Sequence, residues 1–151
     1  MKTLTGVKTV TQLNHLTADW TVLSMKLRNF HWFVNGPHFF TLHAKFEEFY
    51  NEAAQHIDEI AERVLALKGK PVATLAEALK LARLQEAAGS ETAEQMVEAV
   101  RGDFERLVGF LQESIAAAEE EGDEPTADML TGLQASLQKH VWMLGAFLGR
   151  A

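Results

Sequence analysis

Four side chains in the stretch from Lys26 to Glu62, KLRNFHWFVNGPHFFTLHAKFEEFYNEAAQHIDEIAE, are of types that bind metal ions. His31 and His43 flank an Asn35-Gly36-Pro37 turn, and Asp58 and Glu62 follow one helical turn apart. Imidazole nitrogens and carboxylate oxygens without thiolate suit Fe(II), and equally Mn(II), Co(II) or Zn(II). On a continuous α-helix the 15 residues from His43 to Asp58 cover about 22 Å, so no single ion can touch both. A centre that uses all four side chains therefore needs the carboxylates of a second subunit.

The elements that carry these residues read as all-α, because prolines number only three and no segment alternates β-branched residues as a strand would. A first helix is predicted from about Lys8 to Val34, with Leu13, Leu16, Trp20, Leu23, Leu27 and Phe30 as one buried stripe. Gly36 suits its C′ position, and Pro37 suits the first turn of the next helix. That second helix is predicted from Pro37 to Lys68, closed by Gly69 and Pro71, with Phe39, Leu42, Phe46, Phe49, Ala53, Ile57, Ile60, Val64 and Leu67 inside. A short helix near Thr74 to Arg83 opens with Thr74 and Glu77 at capping-box spacing. A third long helix, Glu91 to Glu120, buries Met96, Val100, Phe104, Leu107 and Leu111. The fourth, from Pro125 to near Gly149, buries Leu130, Leu133, Leu137, Val141, Leu144 and Leu148. The expected fold class is a four-helix bundle with an extra short helix in one long crossover between helices 2 and 3, as ferritin-like proteins are built. One domain is expected over residues 1–151, with 1–7 as a short N-terminal tail.

Composition sets outer bounds. A chain of 151 residues, 47% hydrophobic, is one ordinary domain able to bury most of its apolar surface. No apolar run approaches the ~20 residues of a membrane span, and Met1 to Gly6 lacks the apolar core of a signal peptide. The absence of cysteine excludes disulfides, thiolate zinc sites, iron–sulfur clusters and thiol catalysis, and fits a cytoplasmic protein. A formal net charge of −7 opposes non-specific affinity for nucleic acid and is compatible with attracting cations.

Turning each residue of the second helix by about 100° from His43 separates three sides. The core stripe falls at roughly 240–320°, and Lys45, Glu48, Glu52, Glu59 and Arg63 fall on a solvent side at roughly 120–200°. The remaining sector, roughly 0–100°, holds His43, Glu47, Ala54, Asp58, Ala61, Glu62 and Leu65. An antiparallel copy of this helix across a two-fold axis brings His43 and Glu47 of one chain opposite Asp58 and Glu62 of the other, which makes two equivalent sites per dimer. Exposed helix flanks carry the same residue types, and acids at i, i+4 are common there. Spacing alone leaves both readings open.

The residues Asn29-Phe30-His31-Trp32, Gly36, Phe40, Leu42-His43, Phe46-Glu47, Tyr50 and Asp58-Glu59-Ile60-Ala61-Glu62-Arg63 form a specific combination. On them, and over essentially the whole chain, the sequence resembles the Dps family, the miniferritins named for DNA binding in starved cells. The resemblance implies a hollow dodecamer with ferroxidase centres at two-fold interfaces. His31, His43 and Glu47 would come from one subunit, and Asp58 and Glu62 from its partner. The family often has Asp where this chain has Glu47, and the longer side chain bears on how tightly a second metal ion is held. Larger ferritins use Glu-x-x-His pairs inside each bundle, and this chain has none. Its nearest look-alike, Glu52 and His56, lies off the ligand sector; His56 is read as a surface or inter-helix hydrogen-bonding residue, and His15, His38 and His140 as ordinary ones.

The chemistry so implied is oxidation of Fe(II) to Fe(III), preferably by hydrogen peroxide and otherwise by O2, without haem. The ferric product is stored as an oxyhydroxide, which protects against oxidative damage. Trp32, beside His31, either hydrogen-bonds to the site, intercepts an oxidising equivalent, or packs as an interface aromatic. The acidic run Glu119-Glu120-Glu121-Gly122-Asp123-Glu124, followed by Asp128, reads by default as a solvated turn. Asp123 and Glu124 suit a helix start, whereas Glu119 to Glu121 oppose the dipole at a helix end. The resemblance assigns Asp123 and Asp128 to a negatively charged three-fold pore, with Glu119, Glu120 or Glu124 at its mouth. The alternative function is a DNA-compacting nucleoid protein in the bacterial cytoplasm. Relatives that bind DNA use Lys/Arg-rich termini, but here the first ten residues hold only Lys2 and Lys8 and the C-terminus only Arg150. DNA binding is expected to be weak or absent.

Overall fold

The apolar stripes become helices in the computed structural model, which describes residues 6–150. They are α1 (Val7–Phe33), α2 (Phe39–Ala66), α3 (Leu75–Leu81), α4 (Ala93–Glu120) and α5 (Glu124–Phe147). No strand occurs among the described residues, and the expected all-α bundle with a short helix in its long crossover is what forms. Of the expected tail, residues 1–5, including Lys2, lie outside the described residues, while Gly6 caps α1 and Val7 begins it.

The α1 stripe from Leu13 to Phe30 is wholly buried, as are Phe46, Ile60 and Val64 of α2, Phe104, Leu107 and Leu111 of α4, and Leu130 and Leu137 of α5. Each such Leu, Ile or Phe contributes about 1.5–3 kcal/mol by leaving water. The outer members of the predicted stripes, Phe39, Ile57, Leu67, Leu133, Val141 and Leu148, are half-buried and pack against that core.

Several helix ends differ from expectation for identifiable reasons. α1 stops at Phe33 because Val34 turns extended (φ −61°, ψ 141°). Gly36, at φ 108°, therefore serves the following turn, where its carbonyl accepts from the Phe39 amide at 3.1 Å. Pro37 stands before α2 rather than in its first turn. At the far end of α2 the left-handed residue is Lys68 (φ 66°), and the Gly69 amide bonds back to Val64 O at 2.9 Å. Gly69 is needed for room: a Cβ there would lie 2.8 Å from a methyl of Val10. Thr74 caps α3 as expected, but Glu77 accepts from the Thr74 hydroxyl at 2.9 Å rather than from its backbone, so the box is only half formed. The complete capping box opens α4 instead, between Thr92 and Gln95.

Polar side chains of α1 pin the crossover. Asn14 bonds Lys70 O and the Val72 amide, each at 3.0 Å, and His15 Nδ1 bonds Leu81 O at 3.1 Å. The fully buried Asp19 accepts from the Arg83 and Leu84 amides and, at 2.9 and 2.7 Å, from Nε and NH2 of the Arg83 guanidinium. Arg83 can reach it because α3 ends at Leu81, short of the predicted boundary, with Ala82 extended. The buried Lys26 pairs with Asp103 of α4 at 2.8 Å.

The N-terminus of α1 has no side-chain cap of its own. Glu121, just past the end of α4, supplies one: its carboxylate accepts from the Gly6 and Thr9 amides at 2.7 Å and from the Thr9 hydroxyl at 2.6 Å. An acid that opposes its own helix dipole is thus placed against the favourable end of another. Burial works against the Glu121 charge, but the Thr9 and Gly6 donors outweigh it and hold its carboxyl below the usual range. A depressed carboxyl stabilises the fold above the ordinary Glu value, about 4.3, and the contribution is lost as pH falls through the folded value. Glu121→Gln is expected to lower stability at pH 7 by about 1 kcal/mol and to flatten the loss on acidification. Urea midpoints at pH 7 and below pH 4 check this, and equal deficits at the two pH values would refute it.

Candidate metal centre

His31 lies in the last turn of α1 and His43 in the second turn of α2. The last carbonyls of a helix lack intrahelical partners, and His31 O receives His43 Nδ1 at 2.7 Å. Reciprocally, His31 Nδ1 meets His43 O at 2.6 Å. A carbonyl only accepts, so each Nδ1 carries the proton and each Nε2 keeps its lone pair for a ligand. The rings stack at 3.7 Å and 12°. Phe39 lies against the outer face of His43 at 4.8 Å, and Tyr50 meets His31 edge-on at 5.4 Å. The pair is thus fixed in tautomer and orientation by α1 and α2 alone.

Asp58 and Glu62 lie in the last third of the same unbroken helix, exposed and one turn apart. A hydrogen bond with Asp58, and then its charge, push the Glu62 carboxyl above its usual range. Two like charges one helical turn apart disfavour each other, and a cation held between them would relieve that repulsion. Glu47 is exposed near the histidines and accepts from the Tyr50 hydroxyl at 3.2 Å. Among the described residues, no three His, Asp or Glu side chains converge as a group that could hold a metal ion. The structure brings His31 to His43 and Asp58 to Glu62, but does not bring the two pairs together within one chain.

The sector of α2 that carries these ligands is uncovered. Ala54, Asp58, Glu62 and Leu65 are exposed, Leu65 at 56%, and Trp32 on α1 at 62%. The opposite flank departs from expectation. Arg63 is not free in solvent, since its Nε bonds the Thr126 hydroxyl at 2.8 Å and its NH2 pairs with Asp123 at 3.0 Å, tying α2 to α5. Glu52 likewise bonds His140 Nε2 at 2.9 Å, which is the main reason its carboxyl lies below the usual range.

His56 requires correction. It is half-buried against Trp20, with ring centroids 4.8 Å apart, and its Nε2 has no hydrogen-bond partner among the described residues. It is neither a surface group nor an inter-helix bond, and burial lowers its pKa. His38 meets Phe147 edge-on at 5.4 Å.

The acidic turn is partly neutralised from within. Glu120 pairs with Lys8 at 3.1 Å and Glu121 caps α1. Asp123 caps α5, accepting from the Thr126 amide at 3.1 Å and hydroxyl at 2.6 Å. Burial opposes its charge, yet Thr126 and Arg63 together hold its carboxyl below the usual range. Glu119, Glu124 and Asp128 remain exposed. Sequence reasoning assigned no role to Tyr50 or Glu121; the i, i+3 spacing of Glu47 and Tyr50 on a helix was the available signal for the first, and nothing local signalled the second.

Comparison with known proteins agrees with this layout. The ferritin-like domain family matches residues 10–151. A DNA protection during starvation protein 2 from Bacillus anthracis is 56% identical over 138 residues, covering 91% of this chain and 94% of that protein. The crystal structure of a Dps protein from Bacillus brevis superposes with a TM-score of 0.96 at 55% identity, covering 98% of this chain and 99% of that one. A Dps from Listeria innocua soaked with cobalt gives 0.93 at 41% identity, covering 100% and 98%. With its helices, crossover and histidine pair in this arrangement, the chain belongs to the Dps family of ferritin-like proteins.

Proposed function

We propose that the protein is a ferroxidase and iron-storage miniferritin that oxidises Fe(II) to Fe(III), preferably with hydrogen peroxide, at sites shared between subunits of a hollow dodecamer. Its carrying observation is the locked His31–His43 pair beside the start of α2 and the exposed Asp58–Glu62 pair towards its other end, with the face of α2 that carries Glu47, Ala54, Asp58 and Glu62 uncovered. An antiparallel two-fold pairing of that face supplies each histidine pair with the partner's carboxylates. Glu47 stands beside the histidines as a further ligand. Nitrogen and oxygen donors fit iron, and the cobalt- and zinc-soaked Listeria relatives are consistent with a metal-binding family.

In the proposed reaction two Fe(II) each give one electron to peroxide, which takes two protons and leaves as two waters. Fe(III) then hydrolyses to oxyhydroxide and releases protons. The protein binds and positions; the redox change belongs to iron. Because peroxide accepts both electrons, hydroxyl radical is not released, which gives the protective role. The chain acts as one ferritin-like unit in the bacterial cytoplasm, and among its described residues no helix is long and apolar enough to cross a membrane. Iron passes inward at the acidic turn, where Asp128 and Glu124 keep exposed carboxylates while Asp123 is engaged by Arg63. Asp128→Asn is expected to slow uptake, and an unchanged uptake rate removes this route.

The test is stopped-flow absorbance of anaerobic Fe(II)-loaded protein mixed with peroxide. His31→Ala with His43→Ala is expected to slow site oxidation by ~100-fold or more, since even supporting residues around metal ligands cost 10–100-fold. Unchanged kinetics would remove the centre. A second reading, DNA compaction, has the relatives' names in its favour. The net charge of −7 stands against it. Tight retardation of DNA in a gel at neutral pH and moderate salt would restore it.

A further inference from the structure

Tyr50 touches both His31 and Glu47, two side chains that one protomer gives to the proposed centre. It lies one turn beyond Glu47 on α2, and its hydroxyl donates to Glu47 Oε1 at 3.2 Å. Its ring meets His31 edge-on at 5.4 Å, and the Arg28 guanidinium lies over its face, 4.5 Å from Cζ to the centroid. Arg28 is in turn held by the Ser24 carbonyl and hydroxyl, one turn back on α1. The ring therefore has a cation on its face and an imidazole at its side before any metal arrives.

Glu47 needs such support. It is exposed, and its three side-chain torsions lose rotamer freedom when it is fixed as a ligand. Among the described residues, Tyr50 is the group that its carboxylate bonds. Arg28 over the ring adds a cation–π contact that holds the phenol in place beside Glu47.

We propose that Tyr50 is a positioning residue that presents Glu47 to a second metal ion beside the His31–His43 pair. Its hydroxyl holds Oε1 and leaves Oε2 to ligate. The primary ion on His31, His43 and the partner's carboxylates does not depend on it. This rests on the reading of Glu47 as a ligand.

The experiment is anaerobic titration of the assembled protein with Co(II), following d–d absorption together with stoichiometry by equilibrium dialysis. Tyr50→Phe keeps the ring, its Arg28 contact and its His31 contact, and removes only the hydroxyl. The wild type is expected to show a tight and a weaker Co(II) class. In Tyr50→Phe the weaker class loses affinity by about 10-fold or more, and its spectrum shifts while the tight class stays unchanged. Glu47→Gln is expected to abolish the weaker class. Should Glu47→Gln remove that class and Tyr50→Phe bind as wild type, the role of Tyr50 is overturned while Glu47 stands. If Glu47→Gln binds as wild type, or the wild type shows one class only, Glu47 is not a second-site ligand and both ideas fall. Equal weakening of both classes in Tyr50→Phe means general distortion and also overturns the proposal.

Discussion

Shells assembled at random from equal amounts of two inactive variants should recover about a quarter of the wild-type peroxide-driven oxidation rate. One parent carries His31→Ala and His43→Ala, the other Asp58→Asn and Glu62→Gln. Each parent lacks half of every centre. Random pairing makes half of the dimers mixed, and a two-fold mixed dimer contains one site with all its ligands and one with none. Half of a half gives the quarter. The 15 residues between His43 and Asp58 lie on one unbroken helix, Phe39–Ala66, so about 22 Å separates them and no side-chain rotation closes the gap. The measurement is stopped-flow oxidation of Fe(II) by mixed shells purified through two different tags. A mixed shell no faster than its parents would show that each centre belongs to one chain, and the shared-site reading would fail.

Asp19→Ala is expected to be the most damaging single substitution away from the centre, costing about 3–5 kcal/mol. Asp19 is fully buried and receives both the guanidinium of Arg83 and the amides of Arg83 and Leu84. Removing it leaves a partly buried cation and two amides without their acceptor, which is far worse than losing a surface ion pair. The freed segment is the crossover that α1 holds by side chains. At roughly 2–4 °C per kcal/mol for a chain of this size, the thermal midpoint should fall by about 10 °C at fixed protein concentration. Rapid proteolysis in the 82–92 segment should accompany the fall. A midpoint within about 2 °C of wild type, roughly the effect of a surface change, would mean that the crossover is held by other contacts.

The first of these results could be anticipated from the chain alone; the second could not, because the Asp19–Arg83 tie spans 64 positions. The bundle was legible because helix periodicity is local: Leu13 to Phe30 and Phe46 to Val64 repeat at three- and four-residue steps, and those residues are buried. The separation of the ligand pairs was legible for the same reason, since rise per residue depends on nothing distant. Helix ends were less so. Thr92 with Gln95 outcompeted Glu91 as the start of α4, and Glu91 instead accepts from the Ala88 and Gly89 amides.

By itself, the sequence determined an all-α bundle, the side of α2 that carries His43, Glu47, Asp58 and Glu62, and the impossibility of joining both pairs in one protomer. Only the tertiary structure decided that His31 and His43 exchange Nδ1 bonds with each other's carbonyls, that Glu121 caps α1, that Arg63 belongs to Asp123, and that His56 lies against Trp20. Periodicity and rise follow from the φ and ψ of neighbouring residues. The partner of a polar side chain 12 to 115 positions away follows from which helix ends the closed bundle brings together.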